Sequence, residues 1–321
     1  MSPPPIASDT APAAMLRVQP AHAALPAQSV LPAIGLIIAS TVFFSAGDIT
    51  AKMMTETLPP IEVTWIRYAV FVAAIWPVAA AVQGRGAFRS ARPGLQIIRA
   101  LAVVLSSVLF ILGLAHLPVA ETTAINFMSP AFVTALSIPL LGERVGVRRW
   151  LAAVAGFLGV MIIVQPGSDA FQPAALFPLA AATVWAGAAI ATRMMSREQP
   201  ETTLAWTAGV GFLVLTVLVP FGWQTPTASE IGLGIFTGLG STAGHWLLVQ
   251  AYRRAPASVL APFTYVQLVF AAAFSFLVFG AVPGPSTFLG GAIIAASGLY
   301  TAHRERLRAR EAVLAGSAGS R

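Results

Sequence analysis

The amino-acid sequence predicts an all-α membrane protein in which ten transmembrane helices form two inverted five-helix repeats around a central cavity. Three observations lead to this prediction: the composition, a series of long apolar segments, and an internal repeat. Of the 321 residues, 57% are hydrophobic and only 10% are charged, and the mean hydropathy is +0.78. Because a water-soluble domain cannot bury so much apolar surface, we expect most of the chain to lie in lipid.

Apolar segments that are long enough to cross a bilayer recur from Pro32 to Tyr300. The hydrocarbon core is about 30 Å thick, and about 20 helical residues cross it. These segments lack the apolar and polar alternation of a membrane strand, which favours helices. The ten predicted spans cover approximately residues 32–54, 60–82, 94–115, 119–141, 149–166, 172–195, 202–222, 230–252, 257–280 and 285–302.

Turn-forming and charged residues fill the short connections between spans, for example in TLPPIE, QPGSD and AVPGPS. The first 30 residues are rich in Pro and Ala and lack an unbroken apolar core, which favours a disordered tail over a signal peptide. We expect a cytoplasmic N-terminal tail, two five-helix repeats and a basic cytoplasmic C-terminal tail, over residues 1–30, 31–168, 169–303 and 304–321.

The basic residues predict how the chain is oriented. If the amino terminus is cytoplasmic, all of the 19 basic residues except Lys52 and Arg67 fall in cytoplasmic connections or tails. The positive-inside rule then places both termini in the cytoplasm. The net charge of +7 therefore belongs to loops beside anionic lipid, and it does not indicate nucleic-acid binding.

An internal repeat accompanies the spans. The segment GLAHLPVAETTAINF…PLLGERVG aligns with AYRRAPASVLAPFTY…LVFGAVPG at a constant shift of 138 residues, which pairs Gly142 with Gly280. A shift of 141 residues pairs Trp65 with Trp206. Because each copy holds an odd number of spans, the second copy should be inverted relative to the first. Inverted repeats are the architecture by which many carriers alternate access around a site near the bilayer midplane.

Enzyme motifs are missing from the sequence. A phosphate-binding P-loop needs a Lys after a Gly-rich turn, but the single Lys, Lys52, follows Thr50 and Ala51. The four His residues have no zinc-ligand spacing, no GxSxG motif occurs, and the chain has no Cys. We therefore expect no catalytic residues, no metal and no cofactor. An intramembrane enzyme stays a remote alternative, since it would need several titratable groups in one cavity.

The span plan, the duplication and the stretch LAHLPVAETTAINFMSPAFVTALSIPLLGERVGVRRWLAAVAGFLGVMIIVQPG resemble the EamA type of the drug/metabolite transporter superfamily. Within it, the sequence is similar to bacterial exporters of amino acids and related metabolites, including the YddG-like aromatic amino-acid exporters. The resemblance implies that spans 1, 3, 4, 6, 8 and 9 surround the central cavity and that spans 5 and 10 lie at the periphery.

Polar and aromatic residues of those spans are the candidate substrate-binding residues. We expect Asn126 and His245 near the midplane, and Asp48 and Glu121 nearer the outer mouth. Packing against a neighbouring helix is the alternative for each polar residue, although an imidazole deep in a span is rare and often functional. Pro130 should bend the fourth span. The complete predicted set is Asn126, His245, Tyr265, Trp185, Glu121, Asp48, Phe44 and Gln267.

Together, these features predict a multi-pass secondary transporter of the bacterial inner (plasma) membrane that exports small amphipathic metabolites, above all aromatic or other neutral amino acids. Two alternatives stay open: an uptake carrier for a metabolite or vitamin, and a multidrug efflux carrier. The expected partners are a small-molecule substrate and membrane lipid. Small residues three or four apart in AAVAGFLG and LGGAIIAASG suit close helix packing or a dimer contact, so both a monomer and a homodimer remain possible.

Overall fold

The computed structural model describes the protein as a set of helices joined by short connections, and helices are the only regular structure in the part of the chain that it describes. The expected N-terminal tail lies outside the described residues except for Val30, and residues 143–146 in the connection after the fourth span also lie outside them. The described residues are 30–142, 147–168, 171–195, 198–255 and 257–318.

Twelve α-helices follow one another along these residues. In the first half of the chain they are α1 (Val30–Met54), α2 (Pro60–Gln83), α3 (Pro93–His116), α4 (Val119–Asn126), α5 (Ser129–Leu141) and α6 (Val147–Val164). In the second half they are α7 (Leu176–Met194), α8 (Pro200–Leu218), α9 (Ala228–Arg254), α10 (Ala257–Thr264), α11 (Val266–Phe279) and α12 (Pro285–Ala318).

Several of these segments have the length and composition of membrane spans. Six are long and apolar enough to cross a bilayer: Leu31–Met54, Pro60–Gln83, Pro93–His116, Val119–Leu141, Pro173–Met194 and Pro200–Gly222. Two shorter helical segments, Trp150–Val164 and Val266–Phe279, are also apolar. Large apolar side chains such as Phe221 and Leu277 point outward and are 87% and 74% exposed, which suits contact with lipid rather than water.

Two of the predicted spans are interrupted near their middle. In the fourth span, α4 ends at Asn126 and α5 begins at Ser129, with Pro130 in its first turn, where a missing N–H disrupts nothing. Where a bend was predicted from Pro130, the helix is interrupted at Phe127 and Met128, and the backbone of these two residues stays close to helical. In the ninth span, α10 and α11 are separated at Tyr265. Phe127 and Tyr265 are related by the 138-residue shift, and their ring centroids lie 5.0 Å apart, so the two breaks meet each other.

The helix contacts follow the order of helices within each half. The most extensive contacts join α1 to α9 and α3 to α7, so the first helix of each half packs along the third helix of the other half. Similarly, α1 packs against α11 and α7 packs against α5. Interchanging the two halves turns each of these four contacts into its counterpart. The cavity described below is formed where these paired helices face one another.

The last helices of the two halves, α6 and α12, pack on each other away from that centre. Glycines allow their backbones to touch, because a Cβ added to Gly159 would lie only 2.7 Å from the carbonyl oxygen of Gly290. The small residues of AAVAGFLG and LGGAIIAASG are thus used for close packing within one chain.

Candidate binding cavity

A cavity of about 300 Å³ lies between the two halves. Apolar atoms form most of its surface, but more than half of the lining residues carry polar or charged side chains. Helices α1, α2, α3 and α4 of the first half line it together with α7, α8, α9 and α11 of the second. The lining residues are Phe44, Asp48, Arg67, Tyr68, Phe71, Arg99, Val103, Ser106, Ser107, Phe110, Asn126, Trp185, Leu204, Thr207, Ser241, His245, Leu248 and Gln267.

Most of the site residues expected from the sequence meet in this cavity. Asp48 shares its wall with Asn126 and His245, although its distance along the first span suggested a place nearer the outer mouth. Two expected residues lie elsewhere. Tyr265 packs against Phe127 with its ring tilted by 33°, and it lines two neighbouring cavities. Glu121 lies half-buried in the first turn of α4, outside the lining. The expected residues that line the cavity are Phe44, Asp48, Asn126, Trp185, His245 and Gln267.

The imidazole of His245 has a fixed orientation in the wall. Its Nδ1 donates a hydrogen bond of 2.8 Å to the backbone oxygen of Ser241, one turn earlier on α9. Because a carbonyl oxygen can only accept, the proton of the neutral ring lies on Nδ1, which leaves Nε2 as an acceptor. Phe44 meets the imidazole edge-on at a centroid distance of 4.9 Å, and Phe71 lies 6.5 Å away. The ring therefore presents one acceptor between two aromatic surfaces.

Asp48 places a carboxylate in the cavity. The side-chain amide of Gln267 donates to Asp48 Oδ2 over 3.4 Å, and Ser45 Oγ donates to the backbone oxygen of Gln267 over 3.3 Å. These contacts join α1 to α11 at the level of the cavity. No basic side chain of the described residues lies within salt-bridge distance of the Asp48 carboxyl group, so a ligand can bind to it.

Arg67 and Arg99 also line the cavity, and sequence reasoning missed both. Arg67 Nη2 donates to Ser107 Oγ over 3.3 Å. Arg99 Nε donates to Thr192 Oγ1 over 2.7 Å, and its Nη1 donates to the backbone oxygen of Thr203 and to the Thr207 hydroxyl. The positive-inside count treated both arginines as charges near the ends of spans. Their positions two turns inside apolar helices are the signal that could have identified them, since an intramembrane charge is usually functional.

Asn126 and Trp185 lie where α4 and α7 face the cavity. Asn126 Oδ1 is buried and has no hydrogen-bond partner among the described residues. A buried polar atom without a partner costs roughly 1–3 kcal/mol, so this amide oxygen would gain from a donor on a ligand. Trp185 also lines a second cavity of about 350 Å³ beside α5, α6 and α12, and its indole therefore forms a shared wall between the two spaces.

The formal charges of the cavity come from one half of the chain. The first half supplies Asp48, Arg67 and Arg99, whereas the second half supplies neutral groups such as His245 and Gln267. The lining therefore carries one more positive than negative charge when His245 is neutral. Among the described residues, no group of three or more His, Cys, Asp or Glu side chains is placed to hold a metal ion.

Comparisons with known proteins identify the family. The sequence profile of the EamA-like transporter family matches this chain twice, over residues 31–165 and 172–301. The chain is similar to a riboflavin transporter of Rhizobium johnstonii, with 29% identity over 297 residues that cover 89% of this chain and 95% of the relative. It is also similar to an S-adenosylmethionine uptake transporter of Rickettsia bellii, with 28% identity over 274 residues that cover 85% and 94%.

A solved crystal structure supports the fold alone. It superposes with a TM-score of 0.60 at 17% sequence identity and covers 85% of this chain and 96% of its own. The two matches to the family profile together span most of the chain. This protein therefore belongs to the EamA-like transporter family, and it is a multi-pass membrane transport protein.

Proposed function

We propose that this protein is a secondary carrier that moves small, planar, amphipathic metabolites across the bacterial inner membrane by alternating access. The observation that carries the proposal is the cavity between the halves. Phe44, Phe71 and Trp185 offer flat apolar surfaces to a ring, while His245 and Asn126 offer acceptors that can orient it. A volume of about 300 Å³ suits a single small molecule.

Inverted repeats are a common architecture for alternating access, and we propose that the chain crosses the membrane ten times as two inverted repeats. Each segment matched by the family profile corresponds to five predicted spans, over residues 31–168 and 169–303. The reciprocal helix contacts and the meeting of Phe127 with Tyr265 support a two-fold relation between the halves. In such carriers the substrate site lies near the midplane, where broken helices meet.

The orientation in the proposal has both termini in the cytoplasm. All basic residues except Lys52 and Arg67 lie at or near the connections and tails on that side of the predicted topology, as the positive-inside rule requires. Reporter fusions after Gly86 and at the carboxyl terminus should both give a cytoplasmic signal. An external signal at either position would contradict the ten-span arrangement. The proposal holds for a monomer or for a homodimer, since each chain contains a complete cavity.

Amino-acid export is the specific form of the function that we propose, with aromatic amino acids as the leading substrates. The sequence resemblance to exporters and the aromatic wall around His245 support it. An uptake carrier for a flavin or a similar metabolite is the second candidate, because relatives are named as a riboflavin transporter and an S-adenosylmethionine uptake transporter. Multidrug efflux is less favoured, since two arginines in the cavity would repel cationic drugs.

Counterflow in proteoliposomes tests the proposal. Purified protein would be reconstituted in liposomes preloaded with unlabelled L-tryptophan or riboflavin, and labelled compound would be added outside without ATP. We expect transient accumulation of the label, because a carrier exchanges substrate across the membrane with no other energy source. A strict requirement for ATP, or the same signal in liposomes without protein, would contradict the proposal. Comparing outward and inward flow with and without a pH gradient would separate export from uptake.

A further inference from the structure

We propose that the central cavity recognises a zwitterion, with Asp48 binding its cationic group and Arg67 binding its anionic group. This inference rests on the proposed carrier function and names the substrate class of the same site. Asp48 and Arg67 line one cavity, and their charged groups are not within salt-bridge distance of each other. A ligand can therefore lie between them.

The carboxylate of Asp48 has unused hydrogen-bond acceptors for an ammonium group. The carboxylate accepts one hydrogen bond, from Gln267 Nε2 at the long distance of 3.4 Å, and its other oxygen has no partner among the described residues. A carboxylate accepts several hydrogen bonds, and charge-assisted bonds from an ammonium group are shorter and stronger than this one. Inside a membrane protein, an unpaired carboxylate is costly, and a cationic ligand group would offset that cost.

Arg67, rather than Arg99, has donors left for a ligand. A guanidinium group has five N–H donors, and Arg67 uses one of them, to Ser107 Oγ. Arg99 instead donates to three oxygen atoms on α7 and α8, from Thr192, Thr203 and Thr207. These bonds fix Arg99 to the wall. The remaining N–H donors of Arg67 can bind a carboxylate, which accepts two parallel hydrogen bonds from a guanidinium group.

A zwitterion can pair with Asp48 and Arg67 at the same time, which no singly charged ligand can do. An anion would occupy Arg67 but would be repelled by the Asp48 carboxylate. A cation would pair with Asp48 but would be repelled by Arg67 and Arg99. A neutral ligand would leave Asp48 and Arg67 without a counter-charge in a site where the low dielectric makes electrostatic interactions strong. The opposed charges therefore select for a molecule that carries both signs within a short distance.

Competition with three indole compounds tests this inference. L-tryptophan carries both charges, tryptamine lacks the carboxylate, and indole-3-propionate lacks the ammonium group. In counterflow of labelled L-tryptophan by the wild-type protein, we expect unlabelled L-tryptophan to compete at least about tenfold better than either analogue, as loss of one charge-assisted bond predicts. The three compounds share one ring system, so ring packing does not change along the series.

Two substitutions assign each end of the ligand. Asp48→Asn should remove the preference for L-tryptophan over indole-3-propionate and keep the preference over tryptamine. Arg67→Gln should remove the preference for L-tryptophan over tryptamine and keep the preference over indole-3-propionate. Glu56→Gln and Arg254→Gln are the matched controls, because both side chains are exposed and lie outside the cavity. In both variants the three indole compounds should compete in the same order as in the wild-type protein. Monodisperse elution and an unchanged melting temperature would show that each variant is folded. Arg67→Lys provides a further variant at this position that conserves the charge.

The outcomes separate this inference from the proposed function. Equal competition by all three indoles, or counterflow of riboflavin with no competition by L-tryptophan, overturns the zwitterion site and leaves the carrier intact. An Asp48→Asn protein that loses only its response to a pH gradient, with the wild-type order of competition, also overturns it. If folded wild-type protein moves neither L-tryptophan nor riboflavin, the proposed function fails, and the inference fails with it.

Discussion

The two halves of the chain contribute the same backbone plan to the cavity but very different side chains. At the 141-residue shift, Asp48 corresponds to Ala189 and Arg67 corresponds to Ala208. At the 138-residue shift, His245 corresponds to Ser107. The first half therefore supplies the charges and the second half supplies neutral hydrogen-bonding groups. Duplicated helices can thus give a cavity its shape, while substitutions on one side give it a polarity that orients a ligand.

The largest effect should come from the charged half. Arg67→Ala removes a guanidinium group whose hydrogen bonds to a charged ligand would contribute about 1.5–3 kcal/mol, so we expect the apparent affinity for L-tryptophan to fall about tenfold to 150-fold. Concentration-dependent counterflow measures it. An Arg254→Ala protein should behave like the wild type, because that side chain is exposed on α9. A change of less than twofold in Arg67→Ala would show that the first half does not dominate binding.

The contact between α6 and α12, which we call the seam, differs from the cavity because both halves contribute to it alike. Substitutions there should change stability by the same amount whichever half carries them. Gly159→Ala and Gly290→Ala each place a Cβ against the backbone of the other helix. We expect overpacking to lower the stability by about 1–3 kcal/mol in both variants, which a thermal melt of purified protein would measure.

Gly187→Ala is the control for this seam. Nothing lies within 4 Å of a Cβ at that helical position, so the substitution should be neutral or stabilise the helix by up to about 1 kcal/mol. Transport per folded molecule should not change in any of the three variants. A large loss in only one of the two seam variants would argue against an equivalent contribution from the two halves.

A smaller effect is expected in the neutral half. His245→Ala removes an acceptor that can form one ordinary hydrogen bond, which contributes about 0.5–1.5 kcal/mol. We expect a loss of about twofold to tenfold in apparent affinity for L-tryptophan. Asn126→Ala should show a similar loss. Trp150→Ala serves as the control, because its side chain is 44% exposed on α6 and should affect stability rather than affinity. A loss in His245→Ala larger than that in Arg67→Ala would reverse the proposed division between the halves.

The smallest effect should follow Tyr265→Phe. The Tyr265 hydroxyl has no hydrogen-bond partner among the described residues, and the ring contact with Phe127 would be kept. Counterflow and melting temperature should both stay close to the wild-type values. A clear loss of transport would show that the Tyr265 hydroxyl takes part in substrate passage, although it lies outside the lining of the central cavity.

The helices could be predicted from the sequence because their apolar length is a strong local signal. A bend near Pro130 could also be predicted, since proline removes an intrahelical hydrogen bond, but the interruption at Phe127 and Met128 could not. The break at Tyr265 could not be predicted either, because no proline occupies the corresponding position of the ninth span. That break depends on how the two interrupted helices pack on each other, which is a tertiary property.

The site was predicted less completely, because a span assignment does not fix the rotation of a helix. Glu121 and Asn126 lie on one helix, but five positions correspond to about 140° of rotation and about 7.5 Å along the axis, so one of them lines the cavity without the other. Arg67 and Arg99 were missed for a different reason. A charged side chain two turns inside a helix can extend toward a loop by snorkelling, or it can face the interior of the protein. The packing of the helices decides between these two orientations.

Substrate protection of single cysteines would test most directly whether the cavity between the halves is the transport site. The natural chain has no Cys, so single-cysteine variants need no further changes. Ser241→Cys would place a thiol in the cavity wall, and Gln224→Cys would place one in an exposed connection. We predict that saturating L-tryptophan slows labelling of Ser241→Cys by a hydrophilic thiol reagent and leaves Gln224→Cys unaffected. Equal labelling rates with and without L-tryptophan at both positions would contradict the account.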